Sequence, residues 1–96
     1  MATLNFFGGN NAYEFQATNA AITNNTPGPI TVSNAQGGNA TVINAGQAAN
    51  VTCRINKVSY NGHNYFPEHN GMGTSHAVAV TYNGGAPAAC ITFTWH

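Results

Sequence analysis

Charge is nearly absent from this chain: Arg54 and Lys57 oppose Glu14 and Glu68, there is no aspartate, and four histidines remain in reserve at formal neutrality. Proteins that grip nucleic acid or an anionic membrane do so with clustered Lys and Arg, so neither partner is expected. Without Asp, a Ser/His/Asp triad cannot be assembled. Glu68 could replace the acid, with His63, His69 or His76 as base and Ser59, Thr74 or Ser75 as nucleophile, but no nucleophile elbow accompanies them. A glycosidase pair would have to unite Glu14 and Glu68 from distant parts of the chain. The inventory argues against an enzyme, and no cofactor is expected.

Long apolar runs are missing as well. No window approaches the roughly 20 apolar residues of a membrane-spanning helix, and no 3.6-residue apolar period lasts three turns. The opening MATLNFFGGNN has neither a basic nor an apolar leader region, so no secretory signal is visible and a cytoplasmic or non-classically released protein is expected. Cysteine is scarce. Cys53 and Cys90 lack CxxC spacing, which argues against a zinc knuckle or a thioredoxin-type redox site. One structural disulfide between them is expected, with two buried free thiols as the alternative; closing a loop of that length constrains the unfolded chain by about 4 kcal/mol. A disulfide points outside the cell and the missing signal points inside, so the compartment stays open.

What the chain does have is fifteen Asn, eleven Thr and 43% apolar residues in 96 positions, enough for one domain, residues 1–96, with a modest core. Three NxT sequons begin at Asn24, Asn39 and Asn50. Short β-branched and aromatic runs recur between Gly/Asn/Pro clusters, which reads as all-β. One hairpin is predicted to pair 3–7 with 12–18 across GGNN, and a second to pair 30–33 with 40–44 across NAQGGN. Residues 51–60 read as one strand with Val51, Cys53 and Ile55 on a face. Asn61-Gly62 is a strong type I′ turn signal that lays 63–66 beside it. Residues 67–75, PEHNGMGTS, read as a loop because of Pro67, Gly71 and Gly73. A last hairpin pairs 76–82 with 89–95 across NGGAP and puts Ile91, Phe93 and Trp95 on one face. The sum is six to seven short antiparallel strands in a compact sandwich or partly closed barrel.

Functional groups concentrate in YNGHNYFPEHNG, residues 60–71. A neutral glycan offers hydroxyls on one side and C–H groups on another, so its site wants amides and imidazoles beside an aromatic face. Asn61, His63, Asn64, His69 and Asn70 supply the first, Tyr65 and Tyr60 the second, and Glu68 a strong charge-assisted acceptor. His76, Trp95 and Tyr82 extend the candidate site, although Trp95 also suits the core. A galactose-type glycan is the expected partner, bound without catalysis. Two alternatives stay open. His63, His69 and His76 with Glu68 could hold a metal, but their spacing matches no compact ligand signature. Asn/Thr strands poor in Lys could pair with a protein partner in a structural or defence role.

In size and makeup, with its two cysteines, MAT start and Asn/Gly-rich strands, the whole chain resembles the small mushroom fruiting-body lectins of the α-galactosyl-binding Lyophyllum decastes type. No family motif aligns residue by residue, so no binding residue is carried over. The resemblance implies a non-catalytic lectin for terminal α-galactosides that forms a non-covalent homodimer, and two weak sites on one particle gain avidity without new contacts.

Overall fold

The computed structural model describes residues 1–10, 12–34, 38–84 and 89–96. They form ten strands and no helix: β1 (Ala2–Phe7), β2 (Phe15–Asn24), β3 (Ile30–Ser33), β4 (Thr41–Ile43), β5 (Ala48–Ile55), β6 (Lys57–Tyr60), β7 (His63–Pro67), β8 (Gly71–Thr74), β9 (Ala77–Asn83) and β10 (Cys90–Trp95). The pairing order is β4-β3-β6-β7-β1-β10-β9-β2-β5, with β8 also lying along β2. The sheet curls into a nearly closed barrel. Inside, Leu4, Phe6, Ile22, Val32, Ile55, Val80 and Phe93 are wholly buried. Phe6 and Phe93 stack at 4.4 Å between centroids, and Phe15 stands edge-on to Phe93 and to Trp95.

Hairpins with local signals form as expected. β3 pairs antiparallel with β4 and β9 with β10, while the turns NAQGGN and NGGAP lie largely outside the described residues. Asn61 and Gly62 both have positive φ, 53° and 78°, as a type I′ turn needs, and bring Tyr60 opposite His63. Ile91, Phe93 and Trp95 do share the inward face of β10.

Other expectations are corrected. β1 does not pair with β2; it lies between β10 and β7, Leu4 opposite Phe93 and Phe6 opposite Pro67. Period-two alternation dictates which face is buried, not which strand is the neighbour, so the nearest run in sequence lost to the C-terminal one. The single strand 51–60 is two strands broken at Asn56. Val51 and Ile55 point inward before the break, Val58 and Tyr60 after it, so the inward positions change parity. Asn56 absorbs the change and donates its N–H to Ser33 O at 3.1 Å.

Residues 71–74, expected in a loop, are strand β8. It runs parallel to the start of β2, and β9 continues parallel to the rest, so the sheet is not purely antiparallel. The offset is 56 residues at both ends, Phe15 facing Gly71 and Asn24 facing Val80. At that same offset Asn19 (φ 50°) faces Ser75 (φ 55°), and the β2–β5 register slips by one residue between Ala17 and Ala20. Both strands thus bend together, and the bulge turns a corner of the barrel. The glycines are required because the Phe15 ring lies on them: a Cβ on Gly73 would meet Phe15 Cζ at 2.6 Å, and one on Gly71 would meet Phe15 and Leu4 at 3.2 Å.

The expected disulfide does not form, and Cys53 and Cys90 are free thiols. Cys53 is on β5 and Cys90 on β10, with β9 and β2 between them. Three strand steps of about 4.8 Å far exceed the reach of a disulfide, about 7 Å between Cα atoms. Burial pushes the Cys53 thiol above its usual range. Cys90 faces outward, beneath Asn83 and Thr92.

The end of β2 is tied down by Asn24, which is 0% exposed. Its amide donates to Gly28 O and Ile43 O, both at 2.8 Å, and its Oδ1 accepts from Thr26 N–H and from the Thr26 hydroxyl. The first NxT sequon is therefore a structural clamp joining β2, β4 and the loop between β2 and β3. Asn39 and Asn50 are exposed.

Candidate functional site

The β6–β7 hairpin tip stands at one end of the barrel. Beyond it, Tyr65 and Pro67 turn inward while His63 and Asn64 remain in solvent. Asn61, His63, Asn64 and Tyr65 line an open cleft of about 440 Å³, closed on the other side by Phe7, Gly8, Tyr82 and Ala89. Among the described residues no Asp, Glu, Lys or Arg lines it. Ser59 Oγ donates to Asn64 Oδ1 at 2.8 Å, which fixes the amide and leaves its two N–H donors for a ligand.

The aromatic wall is a tyrosine cluster. Tyr82 stacks on Tyr60 at 4.6 Å between centroids and stands edge-on to Tyr65 at 6.5 Å. Burial, and then the neighbouring Tyr82, push the Tyr65 hydroxyl above the usual phenol range. At neutral pH the phenol stays protonated, and Tyr65 anchors the half-buried Tyr82 ring at the rim. Behind the turn a second cleft, of about 500 Å³, is lined by Asn61, Gly62, Tyr60 and the Pro27-Gly28-Pro29 segment.

The other candidates divide. Glu68 is exposed in the adjoining cleft with Phe66, Pro67 and Tyr13. Asn70 lies one cleft further, beside Ala12, Tyr13, Glu14 and Asn56, and its Oδ1 accepts the Glu14 N–H at 3.1 Å. His69 is exposed, and its Nδ1–H donates to Asn70 O at 2.9 Å, a contact that shapes the turn. His76 sits between β8 and β9, half-buried, with Nδ1 buried and unpartnered. Trp95 is 8% exposed and packs in the core on Phe15, so it offers no stacking wall. His69, His76 and Trp95 thus stand apart from the clefts. Among the described residues no three of His, Cys, Asp and Glu come together as a metal site would need; the histidines that alternate in sequence sit on separate turns and strands.

Phe7, Tyr13 and Asn56 carried no functional signal in the sequence, and Glu14 entered only as half of a carboxylate pair with Glu68. Phe7 reads as the last residue of an edge run, and only the β1–β7 pairing brings it to His63 and Asn64. Asn56 was detectable as the parity break within 51–60. No protein-family model matches the chain, and neither a curated protein nor a solved structure does.

Proposed function

We propose that the protein is a non-enzymatic lectin that binds neutral, galactose-type glycans in the cleft between the β6–β7 turn and Tyr82. The observation that carries this reading is an uncharged cleft in which an oriented Asn64 amide, Asn61 and His63 face the exposed edges of Phe7 and Tyr82. An ionic ligand finds no countercharge there. A sugar hydroxyl pair finds amide donors and acceptors, and the C–H face of a galactose ring finds aromatic carbon. A homodimer would present two such clefts and gain avidity. The rival reading, partner binding by strand addition, would use β5, the eight-residue strand at one end of the pairing order, since β4 at the other end has only three residues and short edges discourage pairing.

Glycan-array screening followed by titration with methyl α-galactoside and its gluco and manno counterparts tests the reading. Retention of galactosides, weakened about tenfold or more by Asn64→Ala with an unchanged melt, is the expected result. Absence of any neutral glycan signal at millimolar ligand refutes it.

A further inference from the structure

Three clefts follow one another along the loop after β1. Phe7 and Gly8 line both the Asn64 cleft and the next one, where Phe66 and Glu68 lie; Ala12 and Tyr13 line both that cleft and a third, which holds Glu14, Asn56 and Asn70. The shared residues make the three a continuous surface track.

The far end has its own ligand-binding chemistry. Tyr13 is 45% exposed although it is a large aromatic, a ring available for stacking. Asn70 uses only its Oδ1, on the Glu14 N–H, and Gly71 N–H donates to Glu14 O at 3.0 Å, so the two segments are locked together and the Asn70 amide hydrogens are uncommitted. Arg54 holds Glu14 Oε1 at 3.3 Å, which leaves Oε2 to accept from hydroxyls. Asn56 lines this cleft half-exposed; its Oδ1 is buried and accepts no hydrogen bond, which leaves the amide N–H groups as the part a ligand can reach.

We infer that the track binds a neutral oligosaccharide rather than a single sugar, with one unit on Asn64 and the Tyr82 rim and another on Tyr13, Glu14, Asn56 and Asn70. This extends the lectin reading and rests on it. Asparagine amides and two carboxylates, Glu68 and the Arg54-paired Glu14, are interspersed with partly exposed rings along the track, which suits a chain of hydroxyl-bearing rings.

Calorimetry with methyl α-galactoside, melibiose, raffinose and stachyose, and with β1,4-galactobiose to galactotetraose, tests it on the intact protein. Affinity in one series rises about tenfold or more from one sugar to four. Tyr13→Ala and Asn56→Ala each lower tetrasaccharide affinity about 3- to 10-fold and leave methyl galactoside binding unchanged, whereas Asn64→Ala weakens both ligands. Backbone amide shifts at Tyr13, Glu14 and Asn56 respond to the tetrasaccharide and not to the monosaccharide, which covers the case in which a variant folds poorly. Equal affinity across both series, or a tetrasaccharide that shifts only Asn61, His63 and Asn64, overturns the track and leaves the lectin reading intact. Failure of every saccharide to bind overturns both.

Discussion

Replacing Asn24 with alanine should destabilise the fold severely. Four hydrogen bonds are lost at once: Nδ2 to Gly28 O, Nδ2 to Ile43 O, and those Oδ1 accepts from Thr26 N–H and Oγ–H. Not all four groups are orphaned. The Thr26 hydroxyl carries one proton and also lies 2.7 Å from Gly28 O, so it redirects there and satisfies both. Thr26 N–H is left without a partner in a site that excludes water, while Ile43 O loses the amide but keeps its place opposite Ile30 in the β3–β4 ladder. The orphaned donor costs about 1–3 kcal/mol and the lost bond to Ile43 O about 0.5–1.5 kcal/mol, so the loss is about 1.5–4.5 kcal/mol, a large part of the roughly 5–14 kcal/mol such a domain holds. At 4–8 °C per kcal/mol for a domain of this size, the melting temperature should fall by at least about 6 °C.

Asn24→Asp separates hydrogen bonding from volume. It keeps the shape but turns a carboxylate oxygen toward two carbonyls at a fully buried position, so the folded-state pKa of the new acid is raised above its unfolded value of about 3.9. The folded state then holds a proton that the unfolded state releases. The variant is therefore least impaired at low pH and loses about 1.4 kcal/mol per unit as pH climbs from about 4 toward the folded pKa. Thermal melts of wild type and both variants between pH 3.5 and 7.5 read this directly. An alanine variant within a degree or two of wild type, or an aspartate deficit that stays flat with pH, would refute the account of Asn24 as the clamp.

Two further outcomes are expected. Gly73→Ala should cost about 2–3 kcal/mol in chemical denaturation, because its Cβ meets Phe15 Cζ at 2.6 Å while Trp95 and Phe93 hold that ring. Gly71→Ala, with nearest contacts at 3.2 Å, should cost clearly less; equal losses would show that the Phe15 ring is not the obstacle. Reducing agent should leave the melting temperature unchanged, and thiol titration of the unreduced, unfolded protein should count two free thiols. Alkylation of the folded protein should be slow at Cys53, whose thiol is raised by burial, and its rate should keep climbing with pH past the ordinary thiol range instead of levelling off there. A mass two hydrogens short in the unreduced protein would contradict both statements.

Much of the fold was legible where the signal is local. Asn-Gly at 61–62 demands positive φ twice, and it produced the turn; Ile91, Phe93 and Trp95 alternate, and they share the inward face. Legibility failed where a residue's meaning depends on a distant neighbour. Gly71 and Gly73 look like strand breakers until Phe15 is seen to occupy the space their side chains would take. Cys53 and Cys90 look like a pair until two strands are found between them. In the site, Asn61, His63, Asn64 and Tyr65 could be read as a group because a tight turn keeps sequence neighbours together in space. His69, His76 and Trp95 could not be separated from them, since sequence distance says nothing about which side of a barrel wall a residue takes.

Composition and periodicity by themselves determined an uncharged, all-β domain with inward-facing β-branched and aromatic residues, because burial of apolar area and backbone hydrogen bonding act on every strand alike. The order of strands, the parallel run of β8 and β9 along β2, and the line of clefts from Asn64 to Asn70 were decided only by tertiary structure. Alternation leaves many pairings nearly equal in energy, and choosing among them takes contacts such as the Phe15 ring on bare glycine and the Asn24 amide between two carbonyls.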